Sequence, residues 1–363
     1  MTSSTTASAR ERELLQAAQG GNEGAFRDLV GPLDGELRAH CYRMLGSVHD
    51  AEDALQDALL RAWRALDRFE GKSSLRSWLY RIATNTCLDV IARRPKRVLP
   101  LDYGPGADPH DSPGIPLAET VWVEPYPDET FPVEDGYASP EAIYEQRESV
   151  ELAFTAALQH LPVQQRAVLI LRAVLGFSAA EVAEHLDTSV ASVNSALQRA
   201  RKAVDERLPD QSQQETLRTL GDERLRAIVQ DYTHALEHGD VNAVVSLLTE
   251  DATWSMPPMP VWYGGRDAVV AFLAEYPLQE KWRHVPARAN GQVAVGCYMW
   301  DEEREGYYAG VLDVITLDGP RIKDVTGFLS PWVFKRFGEE TGSMTPDAFR
   351  RFGLPEAFPA SDR

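Results

Sequence analysis

Three cysteines, Cys41, Cys87 and Cys297, are odd in number and far apart, so the chain has no disulfide framework, and no C-x-x-C offers a zinc site. There is no H-E-x-x-H helix, no Gly-rich phosphate loop and no cluster of histidines, which leaves metal-assisted chemistry and nucleotide hydrolysis without a motif; no cofactor and no metal are expected. Nowhere do about eighteen apolar residues follow one another, so no membrane-spanning helix is expected. The polar start, MTSSTTASAR, lacks the apolar core of a signal peptide, and a reducing, cytoplasmic setting is expected. Positive charge is also short. With 37 Lys and Arg against 55 Asp and Glu, the net charge of −18 argues at first against nucleic acid as a partner.

That average conceals a segregation, and phosphate contacts depend on the local field. Residues 71–97 carry Lys72, Arg76, Arg81, Arg93, Arg94, Lys96 and Arg97 against a lone Asp89, whereas residues 101–151 are acidic throughout with Arg147 as the sole cation. At 363 residues, with 44% apolar residues, the chain is long enough for two or three domains with sizeable cores.

Residues 161–208 organise the rest. Ser178 and Glu181 have capping-box spacing, and Val182, Ala183 and Leu186 supply a short buried face. Asp187 and Thr188 make a turn, with Asp187 at a position that needs a left-handed backbone. Ser189 then caps a helix in which Val190, Val193, Leu197, Ala200 and Val204 recur at helical spacing. This is a helix-turn-helix pattern. Ser189, Ser192, Asn194, Ser195, Gln198, Arg199, Arg201 and Lys202 project from the second helix: short polar groups suit base edges and later cations suit phosphates. A helical hairpin with a solvated basic face fits the same residues.

Upstream, residues 11–29 are amphipathic up to Gly31-Pro32, a second helix spans about 33–45, and a third follows Gly46-Ser47. The third, residues 50–64, has an inner stripe of Ala51, Ala54, Leu55, Ala58, Leu59, Ala62 and Trp63, with Glu52, Asp53, Gln56, Asp57 and Arg61 outside. A small polar loop with Lys72 and Ser74 leads into a helix over about 75–93 bearing Trp78, Tyr80, Arg81, Asn85 and Asp89. Aromatics interleaved with cations suit unstacked single-stranded bases, although core packing and a solvated helix end account for them equally.

Together, the acidic D-A-E-D-x-x-Q-D-x-x-L-R-A-W helix, the basic W-L-Y-R-I-A-x-N helix and a helix-turn-helix about 100 residues later resemble the extracytoplasmic-function group of bacterial sigma factors. The resemblance implies region 2 over residues 10–97 and region 4 over 140–208, joined by an acidic Pro/Gly-rich linker, 98–139. It implies that Asp50, Asp53, Gln56, Asp57 and Arg61 face the clamp coiled coil of the largest subunit of core RNA polymerase, with the beta subunit as a further partner. It implies that Lys72, Ser74, Trp78, Arg81, Asn85, Arg93 and Arg94 melt and hold the −10 promoter element. Residues 189–202 would read the −35 element. Within the linker, Trp122-Val-Glu-Pro-Tyr-Pro-Asp128 looks like a docking motif, similar to the Trp/Glu-Pro element of sigma factors with an extra C-terminal domain.

After a polar hinge at 211–214 the character changes. Helical patterns at 223–237 and 241–248 precede aromatic-rich strands at 252–256, 293–300, 307–317 and 321–329, an α+β order. Residues 222–336 resemble the SnoaL-like branch of the NTF2-like superfamily, which implies a curved antiparallel sheet wrapped on helices into a cone with a pocket; 337–363 remain as a tail. The fold class expected is therefore multidomain, two all-α sigma domains followed by an α+β NTF2-like cone. Trp254, Met256, Trp262, Tyr263, Tyr298, Met299 and Tyr307 are candidates to line a cavity for a flat apolar ligand. Acid/base chemistry there would draw on Asp313, Asp324, Asp251 or His284. The expectation is nonetheless a regulatory domain and no enzyme. Two other readings stay open: a ligand-sensing helix-turn-helix regulator that acts without polymerase, and an enzyme fused to a transcription module.

Overall fold

Short side chains at helix starts and glycines at helix ends partition the N-terminal half, in a computed structural model that describes residues 2–117, 121–128, 148–209, 211–335 and 346–359. The single amphipathic helix expected over 11–29 is two helices, Thr2–Gln19 and Glu23–Val30. Gly21 takes φ 94° and the Asn22 side chain accepts the Ala25 N–H at 3.0 Å, a stop and a start set back to back. Helix Asp34–Leu45 closes on Gly46 at φ 69°, and Ser47 caps Val48–Ala65. Ser74 caps Leu75–Ile91 in the same way. Ala51, Ala54, Leu55, Ala58 and Ala62 of the expected inner stripe are buried, while Leu59 and Trp63 are half-buried.

The helix-turn-helix forms as its spacing requires. Helix Val163–Leu169 runs on through a wider π turn, Ile170–Val174. Ser178 and Glu181 then make a reciprocal capping box on Ala179–His185. Asp187 adopts φ 49°, and Val190–Asp205 follows, burying Val193, Ala200 and Val204 but leaving Val190 exposed. Met1–Arg94 and Leu161–Val204 belong to one compact unit; Pro95–Glu129, Asp135–His160 and Asp205–Arg363 belong to the other.

The second unit is built on a sheet of β1 (Leu248–Ser255), β2 (Trp262–Gly264), β3 (Trp282–Ala289), β4 (Gln292–Asp301), β5 (Gly306–Asp318), β6 (Arg321–Leu329) and β7 (Ala357–Pro359). The order is β2-β1-β6-β5-β4-β3, with β7 on β5. Strands β4 to β6 form the expected antiparallel meander, β3 adds to β4 in the same sense, and β1 joins β6 in parallel. The sequence pattern did not reveal β2, β3 or β7. In β3, Arg283, His284, Pro286 and Arg288 obscure the alternation, and Pro286 is tolerated because β3 is an edge strand. The Asn290-Gly291 pair that turns β3 into β4, at φ 55° and 69°, was the available signal.

Both faces of this sheet are covered. On one, Val293, Val295, Cys297, Val311 and Ile315 join Ile228, Tyr232 and Phe272 from helices Gln213–Glu237 and Arg266–Glu275. On the other, Ala294, Tyr298, Leu312, Val314 and Phe328 meet Val123, Leu152, Phe349, Phe352 and Leu354. The segment taken as a plain tail thus supplies core side chains and a strand. Likewise the linker is not a loose tether where it is described: it forms a turn of helix at Pro100–Tyr103 and buries Trp122, Val123 and Tyr126. The parts of the linker at 118–120 and 129–139, the first residues assigned to region 4, 140–147, and 336–345 and 360–363 lie outside the described residues. Among the described residues no helix is long and apolar enough to cross a membrane.

Candidate nucleic-acid interface and cavity

The face of helix Val190–Asp205 opposite Val193, Ala200 and Val204 is exposed, and it presents Ser192, Asn194, Ser195, Gln198, Arg199, Arg201 and Lys202 together. Ser189 accepts the Ser192 N–H at 3.1 Å, and its hydroxyl meets that of Ser192 at 2.9 Å. Arg199 donates to Ser195 Oγ at 2.5 Å. Backbone N–H groups and short hydroxyls at the helix start, followed by cations, form a surface of the size and chemistry of a major-groove reader.

Around helix Leu75–Ile91 the expected residues divide. Lys72, Ser74, Arg81, Asn85, Arg93 and Arg94 are exposed, whereas Trp78 is half-buried against Phe69 with ring centroids 5.0 Å apart. Lys72 pairs with Glu70, and Arg81 with Glu184 at 3.6 Å. On helix Val48–Ala65, Asp53, Gln56, Asp57 and Arg61 are exposed, and Arg61 reaches Asp89 at 2.8 Å. Asp50 differs from its companions. Its side chain is 2% exposed and ion-paired with Arg94, so two residues assigned to different surfaces hold each other.

Within this unit, contacts that spacing does not reveal join residues 34–91 to 161–186. Ser77 Oγ and His185 Nε2 are hydrogen-bonded at 2.9 Å, Phe177 meets Tyr80 edge-on at 5.3 Å, and the Arg76 guanidinium lies over both rings. Arg166, buried, donates to the Met44 carbonyl at 2.5 Å, and burial pulls its guanidinium down to about 10. Burial and the neighbouring Arg81 also lower His185.

In the second unit a cavity of about 630 Å³ opens on the helix-covered face of the sheet. Trp254, Met256 and Met299 line it as expected, with Asp313 and His284. The other aromatic candidates lie elsewhere. Successive strand residues point to opposite faces, so Cys297 and Met299 face the cavity while Tyr298 is turned into the other core, its hydroxyl donating to Pro355 O at 2.8 Å. Tyr307 is against Trp300 at 5.0 Å, Tyr263 is stacked on Phe272 at 4.4 Å, and Trp262 Nε1 donates to Gly104 O at 2.8 Å.

At the cavity base Asp313 Oδ2 accepts the Tyr232 hydroxyl at 2.8 Å and the Cys297 thiol at 3.2 Å. Burial raises the Asp313 carboxyl and drives the Cys297 thiol and Tyr232 phenol well above their usual ranges. His284 faces Glu237, its buried Nδ1 lying 3.4 Å from Glu237 Oε1, which also accepts the His284 backbone N–H at 2.7 Å. Asp324 is away from this group, on Thr253 at 2.5 Å and Thr326 at 3.2 Å; burial pushes its carboxyl up to about 6. Asp251 is exposed and paired with Lys323. Among the described residues no group of three or more His, Cys, Asp or Glu is placed to hold a metal.

The Trp122–Asp128 motif docks on the β3–β4 turn. Arg97 donates to Trp122 O at 2.6 Å and meets Glu124 at 3.3 Å. Asn290 closes a backbone exchange with Tyr126, its Oδ1 accepting Tyr126 N at 2.9 Å and its N donating to Tyr126 O at 2.8 Å. Asn290 Nδ2 also donates to Val150 O at 2.8 Å, and Asp128 accepts the Gly291 N–H at 2.8 Å. Glu151, next to Val150, accepts the N–H groups of Gln213 and Gln214 at 3.2 and 2.8 Å. Burial pushes the Glu151 carboxyl up to about 7.

Family models match three segments: Sigma-70 region 2 at residues 29–97, Sigma-70 region 4 at 151–204, and a SnoaL-like domain at 229–325. The chain is 43% identical to the ECF RNA polymerase sigma factor SigG of Mycobacterium tuberculosis over 327 residues, 87% of this chain and 84% of that protein. It is 30% identical to the ECF RNA polymerase sigma factor SigW of Bacillus subtilis over 201 residues, 55% of this chain and 97% of that one. Among solved structures, the Mycobacterium tuberculosis extracytoplasmic function sigma factor SigJ shares the fold, with a TM-score of 0.50 and 23% identity over 88% of this chain and 98% of that one.

Proposed function

The chain belongs to the ECF sigma factors of RNA polymerase, and we propose that its residues divide the work as three surfaces and one regulatory domain. As a sigma factor it binds core polymerase and promoter DNA and initiates transcription. Asp53, Gln56, Asp57 and Arg61 meet the clamp coiled coil of the largest subunit, with Asp50 holding Arg94 rather than touching the partner. Lys72, Ser74, Trp78, Arg81, Asn85 and Arg93 engage the −10 element, and Ser189, Ser192, Asn194, Ser195, Gln198, Arg199, Arg201 and Lys202 the −35 element. The SnoaL-like domain tunes these surfaces in cis and takes a small ligand in its cavity. What carries this reading is the capped helix Val190–Asp205, with base-reading side chains at its start and cations after them.

Distance imposes a conformational step. The two promoter elements lie about 25 base pairs apart, roughly 85 Å along B-form DNA. Ser77, on the −10-binding helix, touches His185, one turn before the −35-binding helix, at 2.9 Å. Both elements cannot be bound while that contact lasts, so engagement of promoter and core replaces it.

The test is run-off transcription by bacterial core polymerase with the full chain. A truncation at residue 209 would uncover Val123 and Leu152, which the sheet buries, so point variants are the cleaner probe. Core-dependent transcripts are expected. Asn194→Ala and Gln198→Ala change base preference within the −35 element by about 1–3 kcal/mol, and Arg93→Ala weakens all promoters alike. DNA binding unaided by core, with no core-dependent transcript, would replace this reading with that of an independent helix-turn-helix regulator.

A further inference from the structure

Cys41 and Cys87, far apart in sequence, meet inside the first unit. Each is 0% exposed, Cys41 on helix Asp34–Leu45 and Cys87 on helix Leu75–Ile91. Polar ties set these helices side by side, running the same way. Arg76 Nε and the Tyr80 hydroxyl both donate to Glu36 Oε2 at 3.1 Å, and one turn further on His40 Nε2 meets Thr84 Oγ1 at 2.9 Å. Four residues along one helix match four along the other. Cys41, next to His40, and Cys87, one turn beyond Thr84, therefore come to the same seam, where the Cys87 thiol is hydrogen-bonded to Cys41.

The seam has a cover. Helix Val163–Leu169 packs on Leu75–Ile91, and the π turn Ile170–Val174 packs on Asp34–Leu45. Ala167, Ile170 and Leu171 of this cover are buried. Arg166 reaches across to donate to Met44 O at 2.5 Å, and its guanidinium lies beside Cys87. In the closed unit the hydrogen bond to Cys41 and burial hold the Cys87 thiol well above its usual range, so thiolate is scarce there. Cys297 has no such partner thiol; it donates to Asp313 in the other unit.

From this arrangement we infer that Cys41 and Cys87 are a modification site, a dithiol oxidised by hydrogen peroxide to a disulfide, which residues 163–174 cover in the closed unit and uncover on opening. The opening itself rests on the sigma-factor reading, in which the two DNA-binding regions move apart. Once the cover leaves, water reaches the seam and a thiol can ionise. Its sulfur attacks one peroxide oxygen, the O–O bond breaks, and the leaving hydroxide takes up the thiol proton as water. The second sulfur attacks the sulfenic acid so formed, the S–O bond breaks, and a second water leaves with the second thiol proton. Two thiols thereby give two electrons to one peroxide and gain one S–S bond. That bond ties the helix bearing Arg81 and Asn85 to Asp34–Leu45, and replaces in the opened form the support that the cover gives in the closed one. A dithiol reductant reverses it.

The test treats the full chain with hydrogen peroxide, blocks the remaining thiols under denaturing conditions and maps peptides by mass spectrometry without reduction. A cross-linked Cys41–Cys87 peptide is expected, with Cys297 still a thiol. Because opening precedes oxidation, the rate follows the open population, and Ser77→Ala, which loosens the closed form, should cross-link at least roughly fivefold faster. Oxidised Ser77→Ala should unfold about 10 °C above its reduced form, and Cys87→Ala with wild-type circular dichroism should show no gain. Cys41 and Cys87 left unlinked, whether as thiols or over-oxidised, or a cross-link through Cys297, overturns the site. Equal rates in wild type and Ser77→Ala overturn the role of the cover. An unfolding temperature that oxidation leaves unchanged overturns the bracing. None of these readouts involves polymerase, so absence of core-dependent transcription would sink the sigma-factor reading while leaving the cross-link standing.

Discussion

Replacing Ser77 with alanine isolates the contact that, on the proposed division of the DNA-binding surfaces, must yield before both promoter elements are bound. In the closed unit His185 is buried with Nδ1 already unpartnered, and the Ser77 hydroxyl is the partner of Nε2. Removing it strands a buried nitrogen at a cost of about 1–3 kcal/mol, while in the opened form the imidazole meets water and loses nothing. The closed-to-open ratio should therefore fall roughly 5- to 150-fold, and apparent affinity for promoter with core should rise by up to that factor where the closed form dominates. The Phe177, Arg76 and Arg166 contacts remain, so the variant loosens the closed form without abolishing it. Acid should act in the same direction. His185 is held below its usual range, so its contribution is complete above the open-state value of about 6.5 and disappears as pH falls through the lowered one. Arg81, Glu181 and Glu184 are the charged groups that set it. Spin labels at exposed Asp67 and Thr188, with the three native cysteines buried, report the distance between the two halves of the unit. A short distance in the free chain and a long one in the initiation complex are expected, with a larger long fraction in free Ser77→Ala. A Ser77→Ala chain with unchanged distances and unchanged affinity, or a wild type still short in the initiation complex, refutes the reasoning.

Stability of the second unit should fall as pH rises from about 4.5, the open-chain value of a glutamate, to about 7, where buried Glu151 ionises in the folded state. The Glu151→Gln variant should gain on the wild type across that window by an amount on the order of 3 kcal/mol in calorimetric unfolding; a difference independent of pH would count against it. Asn290→Ala should cost about 3 kcal/mol or more, because Tyr126 N and Val150 O lose their partners and alanine is strained at φ 55°. Asn290→Gly relieves only the strain, so it should recover about 1 kcal/mol; full recovery would show that the side-chain bonds contribute nothing.

Local chemistry was legible in the sequence wherever one segment decides its own conformation. The capping box at Ser178 and Glu181, the left-handed Asp187, the helix ending at Gly46 and strand β6 follow from residues a few positions apart. The exposed polar and basic face of Val190–Asp205 was likewise legible, because 3.6-residue spacing alone separates Val193 and Ala200 from Asn194 and Gln198. Aromatic composition, by contrast, did not reveal which rings enter the cavity. Tyr298 and Met299 are adjacent in sequence, and only the register of β4 against β5 sends one to each face of the sheet.

Sequence determined the division into two sigma regions and an α+β domain, since caps, periods and charge blocks are properties of short stretches. Tertiary structure alone decided that Asp50 is held by Arg94, that His185 meets Ser77, that the tail completes the sheet and that the linker walls the cavity. The Asp50 and Ser77 pairs span 44 and 108 residues. Such pairings are fixed by which apolar faces bury one another, and no local pattern carries that information.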